Sequence, residues 1–486
     1  MSNDFDANLS DALPRRSVFK GVASANSTVR KRELVEFHAR TPSTTVKTME
    51  QDVKFLISGE CLLDGRASFF SLDLKTNAFT AVLSNGVSSL IKRVQVKLPS
   101  NSNQVVEDIQ QYNYLDSIIS LVNTDENTLK SKWNSGSIAA LDNRTAEGLG
   151  RSARFLNLNK GGYRKLTFAL TLSAIFGGKL EQYIPLFLLN GSSLTITLAL
   201  PTEAFRYDEE QEQWGTIFEV VEGMPLEQDS FDDLERDDPA VQEEVKKTML
   251  TYYNRPVPRK QQLEYEVKNF TYHASCLWFP DEYYKRLIAK AQSGEGLNLF
   301  YDSYHYTLIN NDRSDTLYAN LSEQFQNLKT VYFVSVDKTQ RKEQIEHFCT
   351  YPPYLKSYQF RQGSRYWNKV ENDSKTAVMS YTQSLLSSGL FHHRSGNTID
   401  FPQWGRNKNV HVFSFERVDD AGIHSGINTT DGNWLRLECA LKNQDQLEIG
   451  GAIFERKLNA DDAQIYFFFR ATSMLSISNK GIAITN

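Results

Sequence analysis

LTITLAL, residues 194–200, sets Leu194, Ile196, Leu198 and Leu200 to one side of a strand and Thr195, Thr197 and Ala199 to the other. Apolar residues at every second position mark a half-buried β-strand, because successive side chains of an extended chain point to opposite faces. The same period runs through LIKRVQVKL (90–98), where Ile91, Arg93 and Gln95 alternate with Lys92, Val94, Val96 and Leu98. It returns in WLRLECALK (434–442), with Leu435, Leu437, Cys439 and Leu441 against Arg436, Glu438 and Lys442. Tyr265 and Val267, set between Glu264, Glu266 and Lys268, open another strand, YEVKNFTYHASCLWF. Shorter signals predict strands over 53–57, 67–74, 165–172, 297–309, 324–336, 354–362, 409–418 and 464–478. The 29 Phe and 22 Tyr suit this reading, since aromatic side chains fit a pleated, half-buried surface.

Helices are expected where the period changes. Ile109, Tyr112, Leu115, Ile119 and Val122 recur at helical spacing and predict a helix over 106–122. PDEYYKRLIAKAQSG reads as a second helix: Pro280 suits the first turn, Asp281 and Glu282 the positive dipole end, and Gly294 the stop. Tyr284, Leu287, Ile288 and Ala291 form its apolar face. A third helix is expected over 373–387 and a short one over 239–248.

The chain has 486 residues, too many for one ordinary core. Its net charge of −5 argues against a general nucleic-acid coat, but the charge is uneven. Basic residues dominate from Arg15 to Lys47, and acids dominate from Glu203 to Glu244. The reading divides the chain into an N-terminal arm (1–50), a first β domain (51–205), an acidic linker or insertion (206–258) and a second β domain (259–486). Many short strands with irregular connections fit antiparallel sandwiches, whereas a doubly wound sheet would need regular βα alternation.

The chemistry-bearing residues point away from catalysis. Metal-dependent β-sandwich enzymes use inward imidazoles with a carboxylate at H-x-H or H-x-D/E spacing. None of the eight histidines has Asp, Glu or His two residues later, and the adjacent His392 and His393 would face opposite ways in a strand. Gly177-Gly178-Lys179-Leu180 lacks the first glycine and the hydroxyl of a phosphate loop and reads as a tight turn. Asp232-Asp233, Asp237-Asp238 and Asp461-Asp462 lie in polar, loop-like contexts and read as solvated charges, with calcium binding a minor alternative. Cys61, Cys276, Cys349 and Cys439 stand far apart, as buried thiols do, not as a disulfide framework or a zinc site. The start, MSNDFDANLSDALPRR, has no secretory signal pattern, so the sequons at Asn143, Asn190, Asn269 and Asn428 are expected to stay bare.

NGVSSLIKRVQVK (85–97), then VVEDI (105–109) and Tyr112-Asn113, resemble the early part of double jelly-roll major capsid proteins of the virophage, Polinton-like virus and adenovirus hexon lineage. YIPL (183–186) with Asn190-Gly191 and LTITLALP is similar to the segment that closes their first jelly roll. YEVKNFTYHASCLWFPDEYYKRLI resembles the opening strand and helix of the second, and SEQFQNLKTVYFVSVD a later strand pair. HSGINT (424–429) is similar to their S-G-x-N-T turn, and RATSMLSISNKG to the closing strand. Ordered matches run from about residue 53 to 480, and the acidic segment 206–258 matches nothing.

The resemblance implies a mainly β chain of two antiparallel eight-stranded jelly-roll sandwiches in tandem with a few inserted helices. It implies a homotrimer forming a pseudo-hexagonal capsomer that tiles the icosahedral shell of a double-stranded DNA virus. The implied partners are neighbouring capsomers, penton and minor capsid or cement proteins, with contact of the N-terminal arm to an internal membrane or the genome. The implied place is the virion capsid, after synthesis in the cytoplasm of a host or helper-virus-infected cell, without secretion. No enzyme activity is implied, and no catalytic, cofactor-binding or metal residue. The alternative is a virion spike or lectin-like two-domain β-sandwich binding protein.

Overall fold

A computed structural model of the chain describes residues 29–76, 81–98, 105–122, 163–177, 182–189, 191–207, 264–293, 296–311, 315–337, 351, 353–367, 369–372, 377–388, 401–406, 408–416, 426–430, 434–441, 444–449, 452–457, 463–478 and 481–485. The expected helix over 239–248, Cys349, His392, His393 and the three Asp pairs lie outside them.

Among the described residues, two sandwiches are built on sixteen principal strands, with short strands such as Ser43–Val46, Ile184–Pro185 and Gly481–Thr485 paired onto them. The first uses β1 (Lys31–His38), β2 (Gln51–Ile57), β3 (Leu62–Thr76), β4 (Ile91–Lys97), β5 (Val105–Gln110), β6 (Arg164–Phe168), β7 (Ser192–Leu198) and β8 (Tyr265–Trp278). Hydrogen bonding orders them β1-β8-β3-β6 in one sheet and β2-β7-β4-β5 in the other, with all pairs antiparallel. The second uses β9 (Leu297–Asn310), β10 (Thr316–Leu321), β11 (Leu328–Asp337), β12 (Leu355–Gln362), β13 (two short pieces, Arg365–Tyr366 and Val370–Glu371), β14 (Val410–Ser414), β15 (Leu435–Leu441) and β16 (Ala463–Ser478). Their order is β9-β16-β11-β14 and β10-β15-β12-β13. Adding eight to each label of the first sandwich reproduces the second. The order 1-8-3-6 and 2-7-4-5, in which the last strand returns beside the first, is that of an eight-stranded jelly roll.

This pairing moves the expected limits. β1 lies within the segment read as an arm, and β8, read as the opening of the second domain, is the eighth strand of the first. The expected boundary at 258–259 therefore falls inside the first sandwich. The acidic segment joins β7 to β8 within that sandwich, and at its start Phe205, Arg206 and Tyr207 pair with Leu83, Val82 and Ala81. A local pattern cannot reveal this, because β8 meets β1 across more than 220 residues of chain.

Among the described residues, besides a single turn at Pro201–Ala204, the inserted helices are α1 (Tyr112–Val122), α2 (Asp281–Gln292), α3 (Ala377–Ser388) and α4 (Phe401–Arg406). The helix expected over 106–122 starts later. β5 occupies 105–110, where the paired valines favour extended chain, and Gln111 at φ 50° turns the backbone into α1. In α2 Leu287 and Ala291 are buried as expected, Tyr283 is buried with them, and Tyr284 and Ile288 are half-buried. The strand expected over 165–172 ends at Phe168. A tight turn follows, and a Cβ at Gly177 would stand 1.5 Å from the carbonyl of Leu170, so only glycine closes it.

Buried apolar residues form two clusters. Val331, Phe333, Phe413, Phe467 and Phe469 help fill the interior of the second sandwich. A larger cluster holds the core of the first sandwich, α1, α2 and, from the second sandwich, Tyr332, Val334, Val410, Val412, Tyr466 and Phe468. Alternating residues of β11, β14 and β16 therefore serve different cores, and the sheet β9-β16-β11-β14 is apolar on both faces. That accounts for the continuous run IYFFF in β16, since a strand buried on both sides has no solvent-facing positions to fill with polar residues.

Candidate assembly surfaces

The contact between the sandwiches is built by β5 and α1 of the first against β9, β16 and α3 of the second. Every residue of α1 except Ile119 is buried. Tyr114 of α1 meets Tyr466 of β16 edge to face, with ring centroids 5.0 Å apart. The Tyr301 hydroxyl on β9 donates to the Val106 carbonyl on β5 at 2.9 Å, and the Tyr351 hydroxyl donates to Ser117 Oγ on α1 at 3.2 Å. Burial pushes the phenol of Tyr301 well above its ordinary range, so the donor is retained.

Buried charges support this contact without offering chemistry. Glu107 on β5 accepts from Ser173 Oγ and the Ala174 amide, each at 2.7 Å, and from the Ile175 amide at 3.3 Å, which fastens the turn after β6 beside α1. On β9, Asp302 receives Arg470 Nη2 at 2.6 Å and Lys329 Nζ at 3.0 Å. Burial alone would raise the Asp302 carboxyl, but Arg470 and Lys329 outweigh it and hold it below its ordinary value. Cys439 is pushed up to about 12 by burial, which leaves a protonated thiol. Among the described residues no three metal-ligating side chains converge, and no helix is long and apolar enough to cross a membrane.

The counterpart of the covered sheet is β1-β8-β3-β6, and its outer face differs. Its inner side is aromatic: Phe70 stacks on Tyr272 at 4.5 Å and meets Phe55 edge to face at 5.8 Å. Its outer side carries Arg32, which donates from Nε to Ser275 Oγ at 3.2 Å and reaches Asp64 at 3.5 Å. His273 stacks on Phe69, bonds Ser71 Oγ through Nε2 at 2.8 Å and has Nδ1 3.4 Å from Glu36. Burial lowers the His273 pKa despite Glu36, so the ring is mostly neutral near pH 7. Leu34, opposite Ser275, lies among these polar groups and is 55% exposed.

The counterparts α1 and α3, each following the fifth strand of its sandwich, also differ. One side of α3 covers β14, with Ser380, Ser384 and Leu385 buried. On the other side Val378, Met379 and Leu386 are exposed, Met379 by 73%. AVMSYTQSLLSS contains no charged residue. That absence was the available signal for a second apolar surface, and periodicity alone did not single it out. The S-G-x-N-T turn acts inside the second sandwich. A Cβ at Gly426 would lie 2.2 Å from the Leu328 carbonyl, and the Gly426 amide donates to Asn327 Oδ1 at 2.8 Å.

No protein-family model and no curated protein sequence matches the chain. Solved structures do. The PBCV-1 VP54 structure fitted into a reconstruction of the virophage Sputnik superposes with a TM-score of 0.54 at 8% identity, over 96% of this chain and 99% of that one. The Sputnik virophage cryo-EM structure gives 0.53 at 8% identity, over 97% and 92%. The Faustovirus major capsid protein gives 0.50 at 7% identity, over 96% and 93%. At such identities the likeness concerns architecture, and with the strand order above it establishes that the chain has the double jelly-roll fold of viral major capsid proteins.

Proposed function

We propose that the chain is a major capsid protein, whose homotrimer forms a pseudo-hexagonal capsomer in the icosahedral shell of a double-stranded DNA virus. The observation that carries this reading is the duplication: one strand order occurs twice, and the two copies are joined through a shared apolar core. Three such chains in a closed ring present six similar sandwiches, a shape that packs in hexagonal arrays. Structural similarity to viral capsid proteins over nearly the whole chain supports a structural, non-enzymatic role in the virion. In this reading 31–278 and 297–478 are the two jelly rolls, and α2 connects them. Neighbouring capsomers, penton and minor or cement proteins are the lateral partners, and the basic residues before β1 face the membrane or genome.

Light scattering of the purified protein, with negative-stain images of the same peak, tests the proposal. A mass of three times 55.5 kDa with hexagonal outlines is expected. A monomer at all concentrations up to those of assembly overturns it.

A further inference from the structure

The four cysteines stand far apart in sequence, yet the fold brings two of them together. Cys276 lies near the end of β8, opposite Leu63 on β3, and Cys61 immediately precedes β3. Alternate residues of an extended chain share a face, so Cys61 is set on the side that carries Leu63 and hence beside Cys276. The two thiols share a hydrogen bond, and both are buried, at 1% and 0% exposure. The bend before β3 leaves the sulfur its room: a Cβ at Gly59 would lie 3.3 Å from Cys61 Sγ. The Cys61 carbonyl accepts from the Leu186 amide at 3.0 Å, and the next residue, Phe187, meets Tyr284 of α2 edge to face at 5.0 Å. The Tyr284 hydroxyl accepts in turn from the Phe279 amide at 3.2 Å. The thiol pair therefore lies at the root of α2, where the first sandwich closes and the chain leaves for the second.

We propose that Cys61 and Cys276 are a redox-active dithiol, whose oxidation to an intramolecular disulfide staples β8 to the start of β3. β8 closes the first sandwich only after the chain has run through the acidic segment, and residues 61 and 276 are more than 200 apart in sequence. A bond that closes so long a loop removes much of the entropy of the unfolded chain. The oxidant is a small-molecule disulfide, here oxidised glutathione. Hydrogen bonding from Cys61 lowers the pKa of the Cys276 thiol against the effect of burial, so Cys276 supplies the first thiolate. It attacks one sulfur of oxidised glutathione, forming a mixed disulfide and expelling one glutathione thiolate. Cys61 then gives its proton to solvent and attacks Cys276 Sγ, which forms the Cys61–Cys276 bond and expels the second glutathione. Two protein thiols are oxidised, and one disulfide is reduced to two thiols. Neither sulfur is exposed, so the exchange belongs to the folding chain or to an opening of β8, and the finished bond is sheltered from reductant. The inference concerns a single chain and does not depend on the trimer.

The full-length protein, first reduced, is equilibrated at rising ratios of oxidised to reduced glutathione, both folded and while refolding from urea. Free thiols are counted after denaturation, and peptides are mapped without reductant. The count is expected to fall from four to two, with one pair of peptides joined through Cys61 and Cys276. The oxidised form should have the higher urea midpoint, equivalent to roughly a thousandfold in the unfolding equilibrium constant. Cys61→Ala and Cys276→Ala should each lose this redox dependence, whereas Cys439→Ala should keep it. If a variant does not fold, the wild-type count and map decide alone. Four thiols persisting at every ratio, in folded and refolding protein alike, overturn the proposal, as does a bond between any other pair. A bond that forms without raising the midpoint overturns its role as a staple. Light scattering of the same samples tests the capsid reading separately: a monomer that forms the bond leaves this inference standing and removes the trimer.

Discussion

The sheet β9-β16-β11-β14 and its counterpart β1-β8-β3-β6 share a strand order, yet one turns Tyr466, Phe468, Tyr332 and Val334 outward where the other turns Arg32, Glu36, Ser71 and His273. The first face is covered by the same chain from the moment of folding. It needs no solubility of its own, and its aromatic side chains contribute in full, at about 1.5–3 kcal/mol for each fully buried large side chain. The second has no covering element among the described residues of its own chain. Its polar groups bond one another across the strands, so it tolerates water. One topology thus supports a permanent interface in one place and an open surface in the other, and outward side chains alone make the difference.

Phe468→Ala should break this comparison most severely. Phe468 is fully buried in the shared core and meets Tyr306 at 5.4 Å. Its truncation is expected to cost about 3–5 kcal/mol, read as a fall in the urea midpoint. A loss below about 1 kcal/mol would mean that the face is not held closed by the first sandwich.

Acid should act next, through His305 on β9. Burial lowers its imidazole pKa to about 4, although Asp108 on β5 pulls the other way. In the unfolded chain the ring titrates near 6.5, so between these values the unfolded state binds the extra proton. The contribution of the neutral ring is complete above about pH 6.5 and is lost as pH falls toward 4, in total up to roughly 3 kcal/mol. His305→Gln should flatten this part of the stability profile between about pH 7 and about pH 4.5. An unchanged slope would assign the acid sensitivity to other groups.

Arg32→Ala on the open face should have the smallest effect, within about 0.5 kcal/mol by the same urea measurement. The Arg32 side chain is 56% exposed and its ion pair with Asp64 is long at 3.5 Å. A cost above about 2 kcal/mol would sharpen the comparison in the other direction, by showing that this face is already closed in the isolated chain.

Strands were legible where apolar residues alternate with polar ones. In β7 and β15 alternate residues are buried, as the spacing of Leu194, Ile196 and Leu198 and of Leu435, Leu437 and Cys439 predicts. The doubly covered β11 and β16 were legible too, from their continuous apolar runs; legibility failed where a strand has no apolar pattern of its own or where pairing is distant. β5 was read into a helix because Ile109 and Tyr112 happen to lie three apart, and only the left-handed turn at Gln111 separates strand from helix. The exposed stripe of α3 was missed because Val378, Met379 and Leu386 are as apolar as core residues. Composition does not say which side of a helix the rest of the chain will cover.

The sequence by itself determined the β class, the duplicated outline and the near absence of chemistry-bearing patterns, because side-chain period and motif spacing are local properties. Tertiary structure alone decided that β1 and β8 complete the first sandwich, that the acidic segment interrupts that sandwich, and which of two equivalent sheet faces is sealed. Those outcomes depend on pairings across more than 220 residues and on burial against another sandwich. Both are set by the free energy of the whole fold and by no single segment.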